Sequence, residues 1–240
     1  MKNITIITGG SRGLGKELAK EFLLRGENVC IIARNAKNLE RAKSDLEKLT
    51  NNEVVTYAGD VSDEKFVKKF YSDITKKYQI KCLVNNAGVS MSASVFENSQ
   101  DVIDKTFPTV IYGTILMTTY ALPHIKDSKD IVKIVNIISE VVQMPYEGAS
   151  VYCAAKMAQK GYAECLRLET FGTNIKVVNV YPGGMNTDFW KNHRKSISKQ
   201  LQQTFADPKD VANLIVESLY NRNSIILKDI IVEQTHMNLK

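Results

Sequence analysis

Short apolar runs alternate with longer amphipathic ones along the whole chain, and that alternation leaves few folds open. The apolar runs cover residues 4–8, 28–33, 53–58, 81–85, 131–138, 175–181 and 224–232. Most are continuous, as a strand is when both of its faces are covered and its neighbours run parallel. The intervening segments place apolar residues three and four apart. Leu14, Leu18, Ala19, Phe22 and Leu23 form one stripe; Leu39, Ala42, Leu46 and Leu49 a second; Phe66, Val67, Phe70 and Ile74 a third. Residues so spaced line up on one side of a helix. Strands separated by helices predict an α/β fold: one doubly wound parallel β-sheet of about seven strands, with helices on both faces. No linker, repeat or low-complexity stretch divides the chain, so residues 1–240 read as a single domain. Residues 186–206 are less regular. They carry Trp190, His193, Arg194 and several lysines after a strand end, where ligand-covering insertions lie.

Composition narrows the class of partner. Of the 240 residues, 44% are hydrophobic and 24% charged, the balance of a soluble globular protein. No apolar run approaches the roughly 18 residues of a membrane span, and the N-terminal run 4–7 is too short for a secretory core. Cys30, Cys82, Cys153 and Cys165 form no CxxC pair, and none stands near a histidine at ligand spacing, which predicts no metal site. Reduced, half-buried thiols suit a cytoplasmic protein. The formal net charge is +6, yet the lysines and arginines are spread over many helical segments, often beside acids. That is the pattern of solvated helix faces, and no aromatic-basic interleaving points to nucleic acid. A small phosphorylated ligand is the simpler account of any local positive excess.

The segment Thr8-Gly9-Gly10-Ser11-Arg12-Gly13-Leu14-Gly15 joins the first strand to the first helix. Gly9 can turn the chain off the strand, Gly13 lets the backbone approach a pyrophosphate, and Gly15 lets the helix pack closely on the sheet. The helix N-terminus adds free N–H groups and the positive end of its dipole. No GK[ST] ending follows, so an ATP-type loop is disfavoured. A site for NAD usually has an acid at the end of the second strand to hold the ribose 2′-hydroxyl. Here that strand ends Ile32-Ala33-Arg34. Arg34, with Arg12 from the loop, suits a 2′-phosphate, because a guanidinium offers its donors as a fixed fork.

A second group of residues carries proton chemistry. Tyr152 and Lys156 are four apart in a helical stretch and share one face. The ammonium can stand near the phenol and lower its pKa from about 10. Such a phenol gives a proton to a carbonyl oxygen as hydride arrives, or takes one from an alcohol. Ser139 lies just past the fifth strand, at the carboxyl edge where open α/β sheets bind ligands, and its hydroxyl can hold the substrate oxygen. Asn85-Asn86-Ala87-Gly88 and Pro182-Gly183-Gly184 follow the fourth and sixth strands and converge on the same edge.

In this order and spacing the motifs resemble those of the classical short-chain dehydrogenase/reductase (SDR) family, over essentially the whole chain. The matching segments are the loop 9–15, Asp60-Val61, Asn85-Asn86-Ala87-Gly88, Ser139, Tyr152 with Lys156, and Tyr181-Pro182-Gly183. The resemblance implies a seven-stranded Rossmann-type fold and an NADP(H)-dependent oxidoreductase acting on a small carbonyl or alcohol, with Ser139, Tyr152 and Lys156 catalytic. It implies that Asp60 contacts the adenine edge, that Asn86 and Gly88 line the adenosine ribose, that Lys156 also holds the nicotinamide ribose, and that Thr187 lies near the carboxamide. Ser11, Leu14, Val61, Ala87, Tyr152, Pro182 and Gly183 are further cofactor contacts on the same ground. Family members commonly pair through the helices after strands four and five. The corresponding stretches here, 110–122 and 154–168, carry more apolar residues than one face needs, which predicts a homodimer or homotetramer.

One position departs from the family pattern. An Asn usually stands three residues before a Gly in the helix after the Asn85–Gly88 motif, where it supports a water chain to the catalytic Lys. Here Val110 precedes Gly113, and Pro108 falls at the helix start. The departure predicts a different proton relay or reduced activity, and it carries the alternative reading of a non-catalytic NADP(H)-sensing protein of the same fold. A sugar epimerase of similar fold is disfavoured by Arg34 and by the short chain after Pro182. The substrate-facing segments, near residues 90–97, 144–150 and 185–206, mix apolar and basic groups and suit many carbonyls. The C-terminal strand lacks the glycine-rich tail of many fatty-acid-type reductases, which argues away from acyl-carrier substrates.

Overall fold

The protein is described from a computed structural model covering residues 1–89, 94–190, 203–220 and 225–234. Strand β1 (Lys2–Thr8) leads into α1 (Gly13–Leu24), followed by β2 (Asn28–Ala33), α2 (Ala36–Glu47), β3 (Val54–Ala58), α3 (Glu64–Ile74) and β4 (Tyr78–Asn85). Helix α4 (Gln100–Phe107) runs through one wide turn of π-helix (Pro108–Tyr112) into α5 (Gly113–Ile125). Then come β5 (Val132–Ile137), α6 (Ser150–Glu169), β6 (Ile175–Pro182), α7 (Pro208–Leu219) and β7 (Asp229–Val232). The strands form one seven-stranded parallel sheet of order β3-β2-β1-β4-β5-β6-β7. This is the Rossmann-type doubly wound arrangement. The chain winds outward from β1 to β3, returns to lay β4 against β1, then winds outward again to β7.

That reversal puts helices on both faces. Leu18 and Phe22 of α1, Leu39 of α2 and Ile215 of α7 share one apolar layer with the sheet. Val67 and Phe70 of α3, Met117 of α5 and Leu166 of α6 share the other. Successive connections leave β1 and β4 on opposite faces, so a crevice opens beyond their carboxyl ends.

Three boundaries differ from the sequence-based expectation. β4 begins at Tyr78, not at residue 81. The β1–β4 register shifts there, with Ile4 opposite Ile80 and Thr5 opposite Cys82, and Lys81 pairs with Asp130 at 3.4 Å. A charged residue set at a bulge interrupts the apolar run and hides the first half of the strand. β7 is only Asp229–Val232; Ile225 is exposed, and Ser224 lies outside the described residues, as do His193 and Arg194. Leu49 lies beyond α2 and is exposed, so it does not extend the stripe of Leu39, Ala42 and Leu46. The cysteines also differ from a uniformly half-buried set. Cys30 and Cys82 lie on central strands and are buried, Cys153 is half-buried, Cys165 is exposed, and all four are free thiols.

A polar feature crosses this apolar interior. Asn85, Asn136 and Asn179 stand opposite one another on β4, β5 and β6, and all three are buried. The Asn85 amide nitrogen donates to Asn136 Oδ1 (3.0 Å) and to Thr118 Oγ1 (3.1 Å), and that of Asn136 donates to Asn179 Oδ1 (3.1 Å). Among the described residues no helix is long and apolar enough to cross a membrane, and no group of three or more His, Cys, Asp or Glu could hold a metal ion.

Candidate active site

The crevice beyond β1 and β4 is built from short-range contacts. Thr8 ends β1, and its hydroxyl accepts from the backbone N–H groups of Asn86 and Ala87, both at 2.9 Å. The Asn86 side chain donates to the Thr8 carbonyl at 2.8 Å. These bonds stitch the ends of the two strands into a floor. Gly9 leaves the strand at φ +69°, a region that residues with a Cβ rarely enter. A Cβ on Gly15 would collide with the Gly9 carbonyl oxygen and the Asn86 amide nitrogen. The close approach at Gly15 is therefore to the loop and to Asn86, rather than to the sheet as the spacing predicts. Arg12 caps α1 in extended conformation with no side-chain cap bond, which leaves first-turn amides pointing into the cleft.

Arg34 follows β2, and its guanidinium lies 3.8 Å from Asp60 Oδ2. The other oxygen of Asp60 accepts from the Ser62 N–H (2.9 Å) and hydroxyl (2.7 Å). One carboxylate thus holds the turn after β3 and steadies Arg34. No carboxylate ends β2.

At the other end of the cleft, Ser139 lies two residues past β5, its oxygen accepting from the Val141 N–H at 3.3 Å. Its hydroxyl also stands beside the phenol of Tyr152, in the first turn of α6, and favours the phenolate. Phe189 packs edge-on against the Tyr152 ring, centroids 5.9 Å apart. Lys156, one turn further, is buried. Its ammonium donates to the Ile137 carbonyl (2.8 Å) and to Gln159 Oε1 (2.9 Å) and lies 5.9 Å from the Tyr152 ring centroid.

Burial dominates the electrostatics of both groups. It pulls the Lys156 ammonium down to about 7. It pushes the Tyr152 phenol well above its ordinary value; the neighbouring Ser139 hydroxyl acts in the opposite sense, and Tyr146 and Glu140 add to the rise. The expected lowering of the phenol by Lys156 is therefore not what the structure holds. The ammonium is spent on a carbonyl and an amide, and desolvation of the ring outweighs it.

All the sequence-predicted residues line this one cleft of about 430 Å³: Gly9, Ser11, Arg12, Gly13, Leu14, Gly15, Arg34, Asp60, Val61, Asn86, Ala87, Gly88, Ser139, Tyr152, Lys156, Pro182, Gly183 and Thr187. Tyr146, Met185 and Phe189, from the expected substrate-facing segments, line it too, and so does Glu140, which sequence reading missed. Glu140 carries a usable signal, since it is an acid directly after a strand-end serine. Its half-buried carboxyl is pushed up by desolvation, with Glu233 adding to the rise and the nearby Gly184 backbone opposing it. Of the substrate-facing segments, residues 90–93 and 191–202 lie outside the described residues.

With this sheet and this cleft, the chain belongs to the short-chain dehydrogenases, a family of oxidoreductases: the family model described as short chain dehydrogenase matches residues 3–198. Sepiapterin reductase of Chlorobaculum tepidum is 28% identical over 244 residues, spanning 98% of this chain and 97% of that one. The NADP-dependent 3-hydroxy acid dehydrogenase of Schizosaccharomyces pombe is 29% identical over 239 residues, covering 96% and 92%. The crystal structure of a short-chain dehydrogenase/reductase from Vibrio parahaemolyticus is similar at a TM-score of 0.82 and 29% identity, over 96% of this chain and 99% of that one.

Proposed function

We propose that this chain is an NADP(H)-dependent oxidoreductase that transfers a hydride between nicotinamide and a small carbonyl or alcohol substrate, with Ser139, Tyr152 and Lys156 as its catalytic residues. The observation that carries the reading is the two-ended cleft. One end offers the bare first turn of α1 with Arg12 and Arg34; the other offers a phenol beside a hydroxyl, with an ammonium one helical turn away. The residues present fit the dinucleotide. The glycine at position 15 keeps the loop tight against α1, the helix N-terminus suits a pyrophosphate, and Arg12 and Arg34 line the same cleft as guanidiniums suited to a 2′-phosphate. The NADP dependence in the name of the Schizosaccharomyces relative is in keeping with that fit.

NADPH bound there supplies the hydride. Tyr152 gives its phenolic proton to the substrate oxygen, or takes one back in the reverse direction. Burial keeps the phenol protonated at rest, the form needed to donate to a carbonyl. Ser139 holds the same oxygen by a hydrogen bond. Lys156 keeps positive charge behind the phenol and favours the phenolate once the proton has left.

A sensing role without turnover is the competing reading, favoured by the buried Val110 at the family's Asn position. Tyr152→Phe separates the two, because it removes the transferable proton and keeps the ring. Turnover with NADPH and a panel of aldehydes, ketones and diketones is expected to fall at least ~100-fold, with NADPH affinity, read by fluorescence, preserved. If the wild type reduces none of the panel with NADPH or NADH, and the variant alters only cofactor affinity, the sensing reading takes its place.

A further inference from the structure

Lys156 is held from behind by a chain of side chains that the catalytic reading does not use. Its ammonium has three protons. One goes to the Ile137 carbonyl at 2.8 Å and one to Gln159 Oε1 at 2.9 Å. The Gln159 amide is itself fixed, since its nitrogen donates to Thr114 Oγ1 at 2.9 Å. Thr114 in turn donates to the Val110 carbonyl at 2.7 Å. Gln159, Thr114, Val110 and Lys156 are all buried.

The backbone explains why that carbonyl is within reach. Pro108 has no N–H to donate, and the chain passes it in a wide turn in which Gly113 N–H bonds back to the Pro108 carbonyl. The turn sets Val110 over α6, with Thr114 one turn beyond. Gln159 occupies the stripe of α6 that otherwise buries Ala155, Ala163 and Leu166. A buried amide in that stripe costs stability unless every polar atom is bonded, and here oxygen and nitrogen each find a partner.

We infer that Gln159 is a positioning residue for Lys156: its oxygen takes one ammonium proton, Thr114 and the Val110 carbonyl fix the amide, and one ammonium proton is left for the cleft. The role rests on the reading of Lys156 as the cation of the active site. A carboxamide neither gains nor loses a proton near neutral pH, so the chain is a clamp and not a wire. The titratable groups at this end of the cleft are Tyr152 on the same helix, with Tyr146 and Glu140 across it. β5 presents a carbonyl and α5 a hydroxyl, neither charged. Desolvation lowers Lys156 to about 7, and its bonds to the Ile137 carbonyl and to Gln159 act on the ammonium form against that pull.

The test reads Lys156 directly, in the protein without cofactor. Lysine is labelled with ¹³C at Cε, and the Lys156 resonance is assigned by its loss in Lys156→Met. A hydrogen bond to a charged group moves a titration by about one pH unit or more. Gln159→Leu removes the acceptor, and the midpoint is expected to fall. Gln159→Glu replaces the amide by a carboxylate, and the midpoint is expected to rise. Thr114→Val keeps Gln159 but frees its amide, and is expected to move the midpoint in the direction of the Leu variant by less. Should Gln159→Leu fail to fold, the Glu and Thr114→Val variants carry the test. A merely structural Gln159 moves none of the midpoints, or moves Leu and Glu variants the same way, and either result overturns the inference. Because no turnover is measured, its failure is distinct from failure of the oxidoreductase reading, which Tyr152→Phe tests.

Discussion

Arg34 offers the sharpest test of cofactor choice, because its environment lets the effect be worked out before it is measured. A hydrogen bond to a charged partner contributes about 1.5–3 kcal/mol. Two corrections reduce it here. Arg34 is already paired with Asp60 at 3.8 Å, and its side chain is 63% exposed. An exposed pair of that kind is worth about 0–1 kcal/mol, part of which is given up when the guanidinium turns to a phosphate. The net loss expected for Arg34→Ala is about 1–2 kcal/mol, or ~5–30-fold in the Kd of NADPH. NADH has no 2′-phosphate and is expected to bind the variant as it binds the wild type. Fluorescence titration of both cofactors against both proteins gives the ratio. The selectivity is also expected to shrink as salt is raised, since the charges involved are screened over about 10 Å at 0.1 M ionic strength. Equal losses for NADPH and NADH, or a ratio indifferent to salt, would refute the assignment.

Three other measurements are informative. Val110→Asn inserts an amide at a fully buried site where Thr114 and Gln159 already bond each other; it is expected to destabilise by about 1–3 kcal/mol without raising turnover, read by thermal unfolding and steady-state rates. Faster turnover would show that the site still has room for the family's relay. Glu140 has a raised folded-state pKa, so the folded protein holds its proton longer than the unfolded chain. The stability it contributes is complete below the ordinary carboxylate pKa and is lost as pH rises through the raised value; Glu140→Gln is expected to flatten that part of a Tm-against-pH curve, and an unchanged slope would count against the raised carboxyl. Finally, Tyr112, Met157 and Leu168 are exposed apolar residues on the π-turn and on α6, and a dimer or tetramer is expected by light scattering; a monomer throughout the micromolar range would overturn it.

Much of this was legible in the chain because a parallel sheet writes itself as uninterrupted apolar runs. Where a charge breaks a run, as Lys81 does at the β4 bulge, the strand is misjudged. The cleft residues could be named from scattered motifs because a doubly wound sheet gathers its strand ends on one edge, however far apart they lie in sequence. Contacts made at a distance were not legible. The pairing of Arg34 with Asp60, and the pull of desolvation on Tyr152, depend on packing that no local spacing encodes. Gln159 could have been found. Ala155, Gln159, Ala163 and Leu166 recur at helical spacing on the buried side of α6, and a polar residue in such a stripe calls for a partner.

The asparagines of β4, β5 and β6 bear on a problem that hydrophobicity leaves unsolved. Continuous apolar strands have no alternation, so burial alone scarcely distinguishes a strand in its place from the same strand slid along its neighbour. A slide of β5 would part Asn136 from both Asn85 and Asn179 and strand amides in an apolar layer, at about 1–3 kcal/mol for each group left unpaired. The three residues work as the teeth of a lock, closing in one alignment only. That alignment also fixes how far each strand reaches past its asparagine, β4 ending at Asn85, β5 at Ile137 and β6 at Pro182, and so where Asn86, Ser139 and Gly183 fall along the cleft. The rim of the active site is set to length by side chains that do not line it.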